Sequence, residues 1–401
     1  MRVLVLSPKC IWPLTGGAEI RNFNLLRETA RRHDVYYLSF LFSPEERDHL
    51  TALQPYCKKV IGIDLPRPAW RKVLNVARSC FTTRPYVLYE YSQREMAHAL
   101  QEMIAREKID VVHAHNLHMA QYAPLKNGAA FVYDTHNLDH VLWERFSKIQ
   151  TNLAKRVFAR SQCHKFIHWQ RIAAAHSEKI VTLSDQEREE YLRMAPDADI
   201  VTVPNGADIE FFQPRDVTPE PNSIIYFANF EWKPQSDAGI YFYNEILPLV
   251  RRKLPGAKLY LVGNKPPEVV RRLASTDVVV TGYVEDIREY IARAAVVVIP
   301  LRVGAGTKHR IFQALAMGKA LVTTSVGAEG IHLKHGETAM ITDDPQQFAD
   351  YTVQLLNDAQ MRARLGENGR KLVVERYDWR AIYPTLDQAF HDAVKKCKQK
   401  G

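Results

Sequence analysis

Apolar residues along this chain fall into two alternating registers. Short continuous runs, rich in Val, Ile and Leu, stand at 2–6, 35–40, 60–65, 110–115, 131–134, 180–184 and 200–204, and again at 225–227, 258–262, 278–281, 294–299 and 321–324. Runs of that length, bounded by Pro, Gly, Asn or Asp, are the pattern of strands buried on both faces of a parallel sheet. Between them the apolar positions recur at helical spacing. One helix begins near Ala18 with Ile20, Phe23, Leu25 and Leu26 on its buried side; others are predicted over 185–194, 307–317, 345–371 and 379–398. Strand and helix alternating throughout predicts an α/β chain built on doubly wound parallel sheets.

A chain of 401 residues exceeds one ordinary core and suits two domains. The alternation breaks once, at a stretch rich in Pro and acid over 215–222. The expected domains are therefore 1–208 and 224–375, joined by a linker over 209–223. Hydrophobic residues at 46% and charged residues at 25% are ordinary for a globular protein. Cysteines at 10, 57, 80, 163 and 397 show no paired metal spacing and read as reduced thiols of a cytoplasmic protein. The run 2–6 has the length of a strand rather than of a signal-peptide core, and no apolar segment is long enough to span a bilayer.

A net charge of +9 favours an anionic partner: a nucleotide, an acidic membrane surface or a nucleic acid. Two stretches concentrate the charge. In 70–86, Arg71, Lys72, Arg78 and Arg84 mingle with Trp70, Phe81 and Tyr86; in 151–179, Lys155, Arg156, Arg160, Lys165 and Arg171 face the single acid Glu178. Each fits either an amphipathic surface lying on anionic lipid or a helix with its apolar side packed on its own domain.

The chemistry concentrates in 294–330. A buried strand ends at Pro300, and Gly304, Ala305 and Gly306 form a turn. Thr307 stands as N-cap of a helix that Gly318 stops, and Lys308, His309 and Arg310 fill its first turn. Cations there oppose the helix macrodipole at up to about 1 kcal/mol unless an anion sits nearby. Glycine amides, a helix start and a lysine together form a phosphate cradle.

The run G-A-G-T-K, followed by A-L-A-M-G-K-A-L-V-T-T and G-A-E-G, resembles the donor-site signature of the retaining GT-B glycosyltransferases of family four, and V-P-N-G-A-D at 203–208 is similar to that family's domain-junction motif. The resemblance spans nearly the whole chain. It implies two Rossmann-like domains facing a cleft, with a last helix over 376–401 returning to the first domain. It implies sugar transfer with retention from a nucleotide-diphosphate sugar, without metal or other cofactor, the leaving phosphate helping to deprotonate the acceptor. Lys308 and the amides of Gly304, Ala305, Gly306 and Thr307 would meet the diphosphate, with Lys233 as a second cation. Gln313 and Ala305 stand where the family carries a pair of glutamates. Gln313 can still hydrogen-bond ribose hydroxyls. Gly282 and Tyr283 resemble the loop that reads the nucleobase, and Gly16-Gly17 the first loop near the donor. As a dinucleotide fingerprint that pair lacks the required G-x-G-x-x-G register.

Histidines end two strands, where side chains enter the ligand crevice of an open α/β sheet. His136 resembles the family histidine beside the donor sugar, a catalytic position, and His115 one on the acceptor side. Asp197 and Asp199 spell a D-x-D in a turn and are expected to be solvated rather than metal-bound. The expected acceptor is a carbohydrate, glycolipid or small molecule, with no nucleic-acid partner. The expected place is the cytoplasm, free or at the inner face of a membrane during surface-glycan assembly. A sugar-nucleotide epimerase of the same fold, or a binding module whose missing glutamates have cost it turnover, are the rival readings.

Overall fold

The computed structural model describes every residue except Thr15, Asn137, Thr151, Ala305, Gly306 and Gly401, and the side chains of Ile149 and Lys400. The chain forms two compact units, Met1–Pro204 with Tyr383–Gly401, and Asn205–Ile382.

The first unit holds seven strands: β1 (Arg2–Ser7), β2 (Asp34–Leu41), β3 (Lys59–Asp64), β4 (Val111–His115), β5 (Ala130–Asp134), β6 (Lys179–Thr182) and β7 (Ile200–Thr202). They pair in parallel in the order β3-β2-β1-β4-β5-β6-β7. Central β4 and β5 are buried at every position, while the edge strand β3 is only half covered. That gradient is why the inner runs read as unbroken apolar segments. Side chains alternate across the sheet. Leu4, Leu6, Val112, Phe131 and Tyr133 enter one core, and Val5, Val35 and Tyr37 meet Phe23 and Leu26 of helix α1 (Gly17–Ala30) in another.

The helices over the far part of this unit are α2 (Ala69–Cys80), α3 (Tyr86–Glu90), α4 (Asp139–Ile149) and α5 (Leu153–His176). The basic pattern expected as one helix over 151–179 is thus α5, which Asn152 opens by accepting from the amide of Lys155 at 3.1 Å.

The second unit repeats the design with β8 (Ser223–Phe227), β9 (Lys258–Val262), β10 (Val278–Gly282), β11 (Val296–Ile299), β12 (Leu321–Thr323) and β13 (Met340–Ile341), parallel in the order β10-β9-β8-β11-β12-β13. The helices that matter for the site are α6 (Lys233–Tyr241), α7 (His309–Ala316) and α8 (Ser325–Ala328). The stretch read as a linker, 209–223, lies within this unit. Arg215 pairs with Asp286 at 2.7 Å, and the Glu220 carboxylate accepts from Lys258 Nζ at 2.7 Å and Tyr260 Oη at 2.5 Å. Partners on β9 and at the start of the helix after β10 hold a segment whose composition suggested freedom.

In the last helix, α9 (Trp379–Lys400), residues from Tyr383 on group with the first unit. Asp387 there meets His33 Nε2 at 2.6 Å and Arg32 at 3.1 Å, and the Phe390 ring lies 5.3 Å from that of His113. Among the described residues no helix is long and apolar enough to cross a membrane.

Gly263, at the end of β9, has φ +143°, and a Cβ there would fall 1.8 Å from the carbonyl oxygen of Ala228 beside the end of β8. Gly263→Ala is expected to lower stability by about 2–5 kcal/mol, combining backbone strain with overpacking, as read by urea denaturation. A loss within error would mean that β8 and β9 do not approach this closely.

Candidate active site

All strands of each sheet are parallel, so their carboxyl ends share one edge. In both units the strand order reverses beside the first strand of the set: between β1 and β4, and between β8 and β11. Loops leaving such a switch point diverge and leave a crevice. Most of the residues singled out by sequence sit at these two places.

In the second unit the loop after β11 leads into α7. Thr307 was expected to cap that helix, but Lys308 holds the N-cap position with φ −102° and ψ 103°. The Thr307 hydroxyl is engaged elsewhere, accepting from Asn205 Nδ2 at 2.7 Å. The V-P-N-G-A-D motif therefore fastens the donor loop. It is itself clamped: the Ala207 amide donates to the Tyr377 carbonyl at 2.8 Å, and a Cβ on Gly206 would fall 2.4 Å from that same oxygen.

Lys308 is only 8% exposed. Its side chain folds back over Gly304, where a Cβ would stand 3.3 Å from Lys308 Cε and 3.6 Å from Nζ. A glycine there leaves room for the ammonium. The Glu329 carboxylate, which follows α8, lies 3.7 Å from Nζ. Glu329 lies inside the G-A-E-G run, and only the return of the chain after β12 brings it beside Lys308. The first turn of α7 holds no acid. His309 is buried and lies tilted 6.4 Å from the Trp379 ring, and burial pushes the Arg310 guanidinium below its usual range, opposed by the Tyr226 hydroxyl.

The other expected donor residues are placed as follows. Lys233 was read as lying in a loop, yet it begins α6 at the end of β8, exposed at a second helix start. Pro234 follows it at N2, and Trp232 supplies the N-cap, so the segment is set for a helix. Gly282 turns with φ +72° at the end of β10, and its carbonyl accepts from the Gly263 amide at 3.2 Å. Tyr283 is 75% exposed, which excludes a packing role within its own unit. Gln313 is half-buried in the second turn of α7. Ala305 and Gly306 lie outside the described residues.

In the first unit, Gly16 is the extended N-cap of α1, its carbonyl accepting from Ile20 N at 3.1 Å, and Gly17 is the first helical residue. Buried Glu19 already occupies this first turn and pairs with Lys9. A carboxylate at that end satisfies the macrodipole from within, unlike the start of α7.

Behind it lies a buried charge pair. Arg21 of α1 donates to Asp134 Oδ2 at 3.0 Å and to the Pro204 carbonyl at 2.9 Å. Burial alone would raise the Asp134 carboxyl. Arg21, with His136 and His113, outweighs it and holds the group well below the carboxylate range. His113 Nε2 stands 3.5 Å from Asp134 Oδ2. His115 ends β4 and His136 follows β5 in a left-handed turn with φ +54°. Their rings lie 5.1 Å apart, both side chains are buried, and no ring nitrogen of either has a hydrogen-bond partner among the described residues. Burial pushes the His136 imidazole down to about 4 despite Asp134, with Arg21 adding to the shift, and pushes His115 well below its usual range, helped by His113 and His136. Both are neutral imidazoles at pH 7, able to donate from one nitrogen and accept at the other. Buried polar atoms left without partners, on a strained backbone at a strand end, are the mark of a ligand site.

The D-x-D turn is engaged on one side: Asp199 pairs with Lys179 at 2.8 Å and Lys396 at 3.5 Å. Two cations on this partly exposed carboxylate make it an anchor for β6 and α9, while Asp197 is exposed as expected.

With this geometry in place, the family is decided by two matches that divide the chain between them. Residues 15–211 match the model described as Glycosyltransferase Family 4, and residues 221–358 the one described as Glycosyl transferases group 1. The chain belongs to the GT-B glycosyltransferases. This glycosyltransferase is similar to the N-acetyl-alpha-D-glucosaminyl L-malate synthase of Bacillus anthracis, 22% identical over 79% of this chain and 84% of that one. It is also similar to a GDP-mannose-dependent alpha-(1-6)-phosphatidylinositol monomannoside mannosyltransferase of Mycobacterium tuberculosis, 24% identical over 58% and 69%. The solved structure of Anabaena HepE in complex with UDP shares its fold, with a TM-score of 0.69 at 14% identity over 98% and 100% of the two chains.

Two measurements test the buried network. Asp134→Asn removes the buried carboxylate to which Arg21 donates and is expected to cost about 3–5 kcal/mol in urea denaturation; a loss below about 1 kcal/mol would mean that Arg21 is not held in this pair. The pH dependence isolates His136. Unfolded, the imidazole takes its proton near pH 6.5; folded, it refuses until about 4. Stability is therefore lost as pH falls through that window, by about 3 kcal/mol for this one group. His136→Gln should lose less than the wild type between pH 6.5 and 4 in thermal melts, and equal losses would remove His136 from the account.

Proposed function

We propose that this glycosyltransferase moves a sugar from a nucleotide-diphosphate donor to an acceptor with retention at the anomeric carbon and without a metal. The observation that carries this reading is the buried ammonium of Lys308, folded over Gly304 at the start of α7 in the segment that leaves β11. A nucleoside diphosphate leaving group develops charge as the glycosidic bond breaks. A preorganised cation and a helix start stabilise that charge without solvent having to reorganise. In this reading Lys233 adds a second cation, and the backbone from Gly304 through Ala305 and Gly306 to Thr307 supplies amides. Gln313 and Glu329 offer hydrogen bonds to donor hydroxyls, and Gly282 and Tyr283 lie against the base. In the first unit Gly16 and Gly17 leave backbone accessible, neutral His136 is assigned to the donor sugar, and His115 to the acceptor.

UDP in the HepE complex supports a uridine donor as the first to try, and the phosphatidylinositol monomannoside acceptor in the mycobacterial relative's name supports a glycolipid. A lipid-linked acceptor in surface-glycan assembly would place the reaction in the cytoplasm, at the inner face of the membrane. Epimerisation finds less support, since Asp134 is locked to Arg21 and Glu19 to Lys9, leaving neither carboxylate free to move protons.

UDP at about a hundred times its dissociation constant should stabilise the protein by roughly 2.7 kcal/mol. Lys308→Ala is expected to weaken that response and to lower kcat by about 10²–10³. Unchanged donor affinity and turnover in this variant would sink the phosphate assignment. Binding without transfer or hydrolysis over a broad acceptor panel would instead leave a binding module. A product whose anomeric proton coupling shows inversion would end the retaining mechanism.

A further inference from the structure

The first unit carries an apolar surface that its own core does not use. On α2, Trp70 and Val73 are 63% and 71% exposed, and Phe81 directly after the helix is 90% exposed. On the α4–α5 pair, Phe146, Leu153 and Val157 are likewise exposed. The elements that carry these side chains are in contact with one another. Lys165 Nζ on α5 donates to the Ser79 carbonyl, Gln162 Nε2 donates to Ser79 Oγ at 3.1 Å, and the Tyr86 ring of α3 lies 6.0 Å from Trp143 and 6.1 Å from Phe158. Between α4 and α5 an open groove of about 550 Å³ is lined by Trp143, Phe146, Gln150, Ala154, Lys155 and Phe158.

The charge on α2 and α5 has one sign. Arg71, Lys72 and Arg78 lie on α2, and Lys155 and Arg160 on α5. Neither helix contains an acid, and Glu144 on α4 is taken up by Lys148 at 2.7 Å. A protein partner is disfavoured by this composition, since protein interfaces are depleted in lysine and charge at their centres. Anionic lipid suits it: aromatic and aliphatic side chains enter the headgroup boundary while Lys and Arg reach the phosphates.

We propose that the face formed by α2, the α2–α3 turn and the α4–α5 pair docks onto an anionic bilayer, with Trp70, Val73, Phe81, Phe146, Leu153 and Val157 in the headgroup boundary. This deepens the membrane location proposed above and rests on it, but not on the identity of the donor.

The full chain is sedimented with vesicles of phosphatidylcholine alone and of an equal mixture of phosphatidylcholine and phosphatidylglycerol. Binding to the mixed vesicles only, released by salt, is expected, with a blue shift in tryptophan emission that Trp70→Ser abolishes. Lys155→Ala and Arg160→Ala should each lower partitioning about fivefold, the ratio given by about 1 kcal/mol per basic residue, and Trp70→Ser with Phe81→Ser should lower it further. No binding, equal binding to neutral vesicles, or variants that bind like the wild type would overturn the proposal. So would a self-associated species in gel filtration that Trp70→Ser dissolves, since the face would then pair protein with protein. The thermal response of each variant to UDP, without vesicles, verifies its fold. It also keeps the two readings separate: loss of vesicle binding with the UDP response intact removes only the docking, and the converse removes only the donor.

Discussion

Two positive charges are forced together at the start of α7, and much of the second unit is arranged around that conflict. The helix presents about half a positive charge there, and Lys308 adds a whole one in a place where water barely reaches. Neither is offset by a side-chain cap, because Lys308 itself holds the N-cap position and Thr307 before it meets Asn205. Glu329, at 3.7 Å, offsets part of the charge. Such a site is short of negative charge, and a doubly charged phosphate group is the natural complement.

The first unit handles charge in the opposite way. At the corresponding switch point the helix start is balanced by Glu19, and the one buried guanidinium is balanced by Asp134. What remains at the strand ends is neutral: imidazoles whose protons burial has driven off. Neutral donors and acceptors suit hydroxyl groups, just as the cationic end of the other unit suits phosphate. The two units share a strand order and differ in electrostatics, and the difference comes from a few residues at the same topological position.

How much of this could be read beforehand depended on distance along the chain. The strands other than β13 were legible within two residues because burial on both faces of a parallel sheet writes unbroken apolar runs, as at Val111–His115 and Val296–Ile299, whereas α6 was read as a loop. The G-A-G-T-K turn and the histidines at strand ends were legible because their chemistry and their local structure coincide. Less legible was anything whose partner lies far away. The segment 209–223 looked like a linker from its composition, yet Glu220 is fixed by Lys258 and Tyr260. Asp199, partly exposed as its turn suggested, is also held by Lys179 and Lys396.

By itself, then, the sequence determined the α/β class, the two-part division, and the stretch where a phosphate would be sought, since period, turn residues and helix polarity are local properties. Tertiary structure decided which charges are already spoken for. It gave Asp134 to Arg21 and Thr307 to Asn205, brought Glu329 to Lys308, and left the aromatic and basic face of α2 and α5 uncovered. Those outcomes turn on residues tens to hundreds of positions apart, and only the packing of parallel strands with their crossover helices brings such residues within reach of one another.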